Sequence, residues 1–105
     1  MDDLSVYHAI VDAAEQQRPV AIATVLRTKG SVPRHAGSKM LVDPAGGLVG
    51  TIGGGCGEAD VIAAAAEVVR TNTPRVVTVE LVDRIDSWSP AVCGGVMEIL
   101  FEPVA

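Results

Sequence analysis

The residues best suited to chemistry form a glycine run, residues 53–57, that ends immediately before a predicted helix. Gly53, Gly54 and Gly55 open the run, and Cys56 follows them. The first backbone N–H groups of a helix lack partners within it, and the helix dipole adds partial positive charge there. Glycines also let the chain turn sharply and let a ligand approach the backbone. The run therefore predicts an anion site, with a tight strand-to-helix turn as the structural alternative.

This run does not match the common nucleotide-binding signatures. A dinucleotide fingerprint starting at Gly53 would need glycine at position 58, where the chain has Glu58. The P-loop signature is absent as well, residues 37–39 being its nearest fragment. Glu58 has two possible roles. It caps the helix, or it accepts hydrogen bonds from a ligand such as the ring N–H groups of a pterin or purine.

A second candidate is a basic loop that precedes the glycine run. Between residues 16 and 42 the chain has five cations and no acid, although its net charge is −5. Arginine offers a planar fork to phosphate or carboxylate, lysine a point charge and serine a neutral donor. We expect an anion to bind Lys29, Ser31, Arg34 and Lys39, the alternative being a chance accumulation of loop charge. The acidic balance of the whole chain argues against binding to nucleic acid.

Two cysteines complete the set of candidates. Cys56 lies at the predicted helix start, where the dipole favours a thiolate. Cys93 is followed by Gly94 and Gly95, which leave space around its sulfur. Two cysteines and two distant histidines do not have zinc-site spacing, but one or two thiolates could hold a soft metal. The alternative for each cysteine is a small buried hydrophobic side chain, and no catalytic residue is assigned.

The elements that must position these residues follow from the apolar patterning. Helical spacing predicts helices over residues 3–17 and 58–70. Short apolar runs predict strands over residues 20–26, 38–42, 48–52, 75–82 and 96–101. Residues 43–47 have the composition of a hairpin turn. We predict an α/β fold, a single domain with a mixed sheet of about five strands and two helices.

Length and composition narrow the class of protein. A chain of 105 residues suits one domain with one core. No basic segment precedes an apolar run near the N-terminus, which argues against a signal peptide. The longest uncharged stretch, residues 44–57, is too short to span a bilayer. Two cysteines fit a reducing compartment, so we expect a cytoplasmic protein that does not contact a membrane.

Four segments, in this order, resemble the XdhC/CoxI family. They are GSVPR at residues 30–34, GSKMLV at 37–42, GTIGGGCGE at 50–58, and CGG at 93–95 with Glu102 and Pro103. The similarity extends over nearly the whole chain. Members of this family are accessory factors of xanthine dehydrogenase and aerobic carbon monoxide dehydrogenase. The best-described members bind the molybdenum cofactor, protect it while its terminal sulfur ligand is installed, and deliver it to the apo-hydroxylase.

The resemblance implies a ligand for the candidate residues. Molybdopterin carries a phosphate that suits Lys29, Arg34, Lys39 and the amides of residues 53–57. Its molybdenum is a soft, thiophilic centre that Cys93 could approach, and its pterin ring has donors for Glu58. The resemblance thus names molybdopterin as the cofactor and Cys93 as the metal-contacting residue.

The resemblance also implies partners. We expect residues 1–105 to form one XdhC/CoxI-like domain, without the Rossmann-type C-terminal domain of many members. The expected partner is a molybdenum hydroxylase apo-enzyme, and a separate Rossmann-domain subunit or a cysteine desulfurase are further candidates. We expect a homodimer that acts as a non-enzymatic cofactor chaperone. The alternatives are an enzyme component that transfers sulfur or metal through Cys93 or Cys56, and a docking module without ligand.

Overall fold

The computed structural model describes residues 3–30, 35–45, 47–49, 58–80 and 95–104. These residues form two helices and five strands. In chain order they are α1 (Asp3–Glu15), β1 (Val20–Lys29), β2 (Lys39–Asp43), β3 (Gly47–Val49), α2 (Glu58–Thr71), β4 (Arg75–Glu80) and β5 (Val96–Val104).

The five strands form one sheet with the order β3-β2-β1-β5-β4. The predicted α/β fold with about five strands and two helices is confirmed, but the prediction of a mixed sheet is corrected. All four neighbouring pairs are antiparallel. The crossover through α2 does connect two strands that run in the same direction, β3 and β4. These strands lie at opposite edges of the sheet. Strand β5 pairs between β1 and β4, so these two strands, which also run in the same direction, do not form a parallel pair.

Helix α2 covers one face of the sheet and forms the larger core. Val61, Ala65 and Val68 of α2 are buried with side chains from four strands. The strand members of this cluster are Ala21, Ala23, Val25, Met40, Val42, Val79, Met97, Ile99 and Phe101. Because side chains alternate along a strand, alternate residues of β1, β2 and β5 supply this core.

Helix α1 packs on the opposite face. Its buried residues Val6 and Ala13 form a cluster with Val20 of β1 and Leu41 of β2. Leu41 lies between Met40 and Val42 of the other core, so β2 is covered on both faces. The helices therefore enclose the sheet from two sides, and each strand residue belongs to either the α1 face or the α2 face.

Both helices end in the same way. Gln17 and Asn72 have positive φ values of 55° and 53°. The residue after each donates its N–H to a carbonyl five residues earlier, Arg18 to Ala13 at 2.9 Å and Thr73 to Val68 at 3.4 Å. This is the hydrogen-bond pattern of a Schellman C-cap, after which proline is common. It explains why α1 ends at residue 15 and not at the predicted residue 17.

Strand β1 contains a bulge that changes which side chains share a face. Val25 pairs with Ile99, but the next paired residue, Arg27, is opposite Glu98, so Leu26 is an extra residue. Ile99 belongs to the α2 face, whereas Glu98 lies on the α1 face. Arg27 and the residue two positions further, Lys29, are therefore on the α1 face.

Two strands are longer than predicted. Strand β1 continues to Lys29 because Thr28 and Lys29 pair with Met97 and Val96 of β5. Strand β5 continues to Val104, and Pro103 within it lies opposite Ala21. No helix among the residues that the structure describes is long and apolar enough to cross a membrane.

Candidate functional site

Several predicted site residues lie toward one end of the sheet, where β1 finishes and β2 and β5 begin, and we call this the lysine end. Strand β1 finishes there with Lys29, and the neighbouring β2 begins there with Lys39. Gly95, which is buried, directly precedes β5, whose first residue Val96 is opposite Lys29. Lys39 itself is opposite Thr24, five residues before Lys29 on β1, so the two lysines lie in the same part of the sheet but are not register neighbours.

The side chain of Lys39 is held in place by a neighbouring strand. Its Nζ atom donates a hydrogen bond to Oγ1 of Thr24 over 3.2 Å in a half-buried position. Thr24 and Lys39 are register partners of β1 and β2. Both lie on the α1 face, since their neighbours Ile22 and Leu41 pack with α1. The pair is therefore a fixed feature of the sheet surface.

The lysines differ from the arginines in their charge partners. Every arginine in the described part of the chain is within 4.0 Å of a carboxylate, and no described carboxylate is that close to Lys29 or Lys39. The arginine pairs are Arg18–Asp43 at 3.0 Å, Arg27–Glu98 at 3.6 Å, Arg70–Glu67 at 2.6 Å and Arg75–Glu67 at 3.8 Å. The chain has only these two lysines. Both lie at the lysine end.

Both helices direct their N-termini toward this end. Helix α1 is followed after four residues by the start of β1, and it lies along the sheet through Val6 and Ala13. Helix α2 has its last turn near the start of β4, as shown by the ion pair between Glu67 and Arg75. Each helix therefore runs back along the sheet from the lysine end. The positive ends of two helix dipoles add to the charge of two lysines there.

The lysines and the start of α2 share an end of the sheet but not a face. Lys29 and Lys39 lie on the α1 face, whereas α2 packs on the other. Strand β3 runs toward the lysine end, because Gly47 is opposite Asp43 and Val49 is opposite Leu41.

The remaining predicted site residues divide into two groups. Glu58 is the first residue of α2, and only its backbone position is described. Those outside the described residues are Ser31, Arg34, Gly53, Gly54, Gly55, Cys56, Cys93 and Gly94. Among the residues that are described, no three His, Cys, Asp or Glu side chains are grouped so that they could hold a metal ion. The predicted contact of a metal with Cys93 stays a prediction.

Thr24 was not among the predicted site residues. It lies within an apolar run, and nothing in its immediate neighbours distinguishes it from a structural threonine. The alternation of side chains offered a signal, since Thr24 follows Val20 and Ile22 on one face and interrupts their apolar pattern. A pairing between β1 and β2 was also needed to bring it beside Lys39.

Comparison with known proteins identifies the family. The sequence model of the XdhC and CoxI family matches residues 13–80, from the end of α1 to the end of β4. The chain belongs to this family. The matched residues include both lysines of the XdhC/CoxI domain and the segment that leads into α2.

Two relatives are about 30% identical to this XdhC/CoxI chain over the aligned residues. It is 31% identical over 96 residues to the uncharacterized protein YqeB of Escherichia coli, covering 91% of the chain and 18% of that protein. It is 30% identical over 101 residues to a probable xanthine dehydrogenase subunit of Bacillus subtilis, covering 93% and 31% respectively. The chain thus spans less than a third of the length of either relative.

A solved structure has the same fold. The crystal structure of a xanthine dehydrogenase from Bacillus halodurans superposes with a TM-score of 0.77 at 33% sequence identity. The match covers 96% of the present chain and 31% of the other. The arrangement of α1, α2 and the five-stranded sheet is therefore shared with a longer protein.

Proposed function

We propose that this XdhC/CoxI domain binds the molybdenum cofactor and serves as an accessory factor that protects the cofactor and delivers it to a molybdenum hydroxylase. The observation that carries the proposal is the lysine end. Lys29 and Lys39 have no described carboxylate within 4.0 Å there, while every described arginine has one. Positive charge without a nearby internal counter-charge suits an anionic ligand.

The described residues fit the phosphate of molybdopterin. An ammonium group has three donors, and one donor of Lys39 is used by Thr24. The other donors and the charge of Lys29 can bind phosphate oxygens. The N-terminus of α1, which packs on the same face as the lysines, favours the same negative charge. When bound, the cofactor would bring a soft, thiophilic molybdenum centre, which is the chemistry that makes Cys93 a candidate contact.

The proposed partner follows from the family and from the names of two similar proteins. The Bacillus subtilis relative is named as a probable xanthine dehydrogenase subunit, and the Bacillus halodurans structure is named as a xanthine dehydrogenase. A molybdenum hydroxylase is the client that these names favour. Because the chain spans 31% of each of those proteins, further domains or subunits would complete the delivery. The homodimer and the cytoplasmic location stay predictions.

The decisive experiment is a direct assay of binding. Protein purified without oxygen is mixed with isolated molybdenum cofactor, passed through a desalting column, denatured and oxidised, and the fluorescent pterin is quantified together with molybdenum. We expect both to co-elute with the protein at a fixed ratio, and excess salt to weaken binding because it screens the lysine charges. Elution of all pterin apart from the protein would contradict the proposal.

A double substitution links the binding to the lysine end. Lys29→Met with Lys39→Met removes both charges and keeps most of the apolar stem of each side chain. As a matched control, Arg18→Met removes one cation at the opposite end of the sheet. Retention of cofactor by the control but not by the double variant would assign binding to the lysine end. Equal retention by both would contradict that assignment.

The sulfur-transfer alternative concerns residues outside the described part of the chain. Cys93→Ala and Cys56→Ala test it separately. A variant that binds cofactor normally but fails to activate the hydroxylase would favour transfer through that sulfur. A variant that no longer binds would assign the sulfur as a ligand of the cofactor. A variant that does both normally would leave that cysteine with no role in the function.

A further inference from the structure

The contact between Lys39 and Thr24 distinguishes one lysine from the other. Lys29 is exposed at the end of β1, whereas Lys39 is half-buried and its Nζ atom lies 3.2 Å from the Thr24 hydroxyl oxygen. A free lysine side chain samples many rotamers, and fixing it to bind a ligand costs conformational entropy. A lysine that is already held by a neighbouring group avoids much of this cost.

The hydrogen-bond partner of Lys39 is uncharged, so the contact can orient the ammonium group without neutralising it. A carboxylate partner would cancel the lysine charge, as Asp43 does for Arg18. The Thr24 hydroxyl accepts a hydrogen bond but leaves the positive charge uncancelled. Two of the three ammonium donors are not used by this contact. The arrangement fixes the direction of the ammonium group and keeps its charge available.

The Thr24–Lys39 pair lies on one defined face of the sheet. Thr24 and Lys39 lie opposite each other on the α1 face, and the bulge at Leu26 places Arg27 and Lys29 on the same face. Arg27 is paired with Glu98. Lys29 and Lys39 are therefore the two cations on this face without a carboxylate within 4.0 Å in the described part of the chain.

We propose that Thr24 is a positioning residue that holds Lys39 as a phosphate-binding subsite on the α1 face of the sheet. The ligand class is a phosphate monoester or inorganic phosphate. The identity of that phosphate as the one of molybdopterin rests on the proposed function, whereas the subsite itself does not. The Thr24 hydroxyl orients the ammonium group, and the two remaining donors bind phosphate oxygens.

The presence of only two lysines makes a direct test possible. Protein labelled with ¹⁵N and ¹³C in lysine gives two side-chain signals by nuclear magnetic resonance, and Lys29→Arg assigns them. Titration with inorganic phosphate at constant ionic strength should shift the Lys39 signal saturably. Saturable binding must be distinguished from general screening, so chloride at matched ionic strength is the reference titration.

Variants of Thr24 test the positioning role. Thr24→Val keeps the shape of the side chain but removes the acceptor, and we expect phosphate affinity at Lys39 to fall about ten-fold. Thr24→Ser keeps a hydroxyl and should restore the affinity to within about three-fold of the wild type. Thr78→Val on β4 makes the same change on the same face, opposite Glu98, and should leave the affinity unchanged.

The outcomes separate this inference from the proposed function. A Lys39 signal that phosphate does not move, or Thr24→Val with wild-type affinity, overturns the inference even if the cofactor binds elsewhere on the protein. Equal losses in Thr24→Val and Thr24→Ser would also overturn it, because they indicate a general packing effect. Saturable phosphate binding that depends on the Thr24 hydroxyl supports it even if the molybdenum cofactor fails to bind.

Discussion

At the arginine end of the sheet, where β1 and β4 begin, each described arginine contacts a carboxylate, whereas at the lysine end neither lysine does. Arg18 pairs with Asp43, and Arg70 and Arg75 share Glu67. These ion pairs join Arg18, which precedes β1, to the end of β2, and they join α2 to the start of β4. Charges without such partners contribute little to folding and remain available to a ligand.

The helix directions strengthen this difference. The C-termini of both helices lie at the arginine end, where their partial negative charge favours cations such as Arg70 in the last turn of α2. The N-termini point to the lysine end, where partial positive charge adds to that of the lysines and favours an anion. The lysine end also has two described carboxylates, Glu98 in its pair with Arg27 and Glu80 opposite Val96, but neither lies within 4.0 Å of a lysine.

The largest expected effect comes from truncating a large side chain of the core, on which the stability of the whole sheet depends. Phe101 is fully buried in the core under α2 and lies between Ala23 of β1 and Arg75 of β4. Phe101→Ala should lower the free energy of unfolding by about 3–5 kcal/mol, because it removes apolar contacts and leaves a cavity. Chemical denaturation measures the loss.

Val76→Ala is the control for this substitution. Val76 lies on the neighbouring strand β4 but is 56% exposed, so its truncation should change stability by less than about 1 kcal/mol. If Phe101→Ala cost no more than the control, the packing described for the α2 face would be wrong.

The second-largest effect is expected when only the two lysines of the lysine end are substituted. Lys29→Met with Lys39→Met should weaken cofactor binding about a hundred-fold, if each charged hydrogen bond contributes about ten-fold. The free energy of unfolding should stay nearly unchanged, since neither lysine has a carboxylate within 4.0 Å in the described residues. Titration of the cofactor and chemical denaturation give the two values. A large loss of stability without loss of binding would contradict the inference that the lysines serve ligand binding and not the stability of the fold.

A smaller effect is expected when an ion pair at the arginine end is removed. Arg18→Met removes the 3.0 Å ion pair with Asp43, in which Arg18 is 46% exposed. Because exposed ion pairs contribute little, stability should fall by less than about 1 kcal/mol, and cofactor affinity should not change. Weakened binding in this variant would show that the whole positive charge of the domain matters and not its position.

The smallest effect is a pH dependence at the arginine end. The hydrogen bond from Arg70 holds the pKa of Glu67 below its ordinary value of 4.5, and the charges of Arg70 and Arg75 act in the same direction. A lowered pKa in the folded state means that the stabilisation is present above pH 4.5 and is lost as the pH falls through the folded-state pKa. Glu67 is exposed to solvent, so the loss should be small.

Thermal unfolding between pH 7 and pH 3 checks this expectation. The wild type should lose slightly more stability on acidification than Glu67→Gln, which has no carboxylate to protonate. Identical curves for the two proteins would show that the Glu67 ion pairs do not contribute to stability.

The sequence predicted the type and number of the elements well, because apolar periodicity determines them. It did not predict the pairing of the strands. One predicted hairpin among five strands and two helices suggested a mixed sheet, and only the insertion of β5 between β1 and β4 makes every pair antiparallel. The order of strands depends on contacts between residues far apart in the chain, and local sequence patterns carry no information about such contacts.

The buried face of α1 was also difficult to predict. Leu4, Tyr7 and Val11 follow one another at helical spacing, but their side chains are 60%, 47% and 54% exposed, while Val6 and Ala13 are buried. A short helix with apolar residues around much of its circumference has no single favoured face until the sheet selects one.

For the candidate site, charge and composition identified Lys29 and Lys39, and the topology brings them to one end of the sheet. The contact of Lys39 with Thr24 depends on strand register, which a single sequence does not contain. Composition can therefore indicate which residues bind an anion, whereas the groups that orient them become visible only in three dimensions.

The bulge at Leu26 makes the position of one charge depend on a count of residues. If β1 were regular and Leu26 itself lay opposite Glu98, every later residue of the strand would change face, and Lys29 would lie on the α2 side of the sheet. The composition of charged residues would be the same, yet the two lysines would no longer lie on one face. In a domain of this size, one extra residue in a strand thus determines which surface carries a charge.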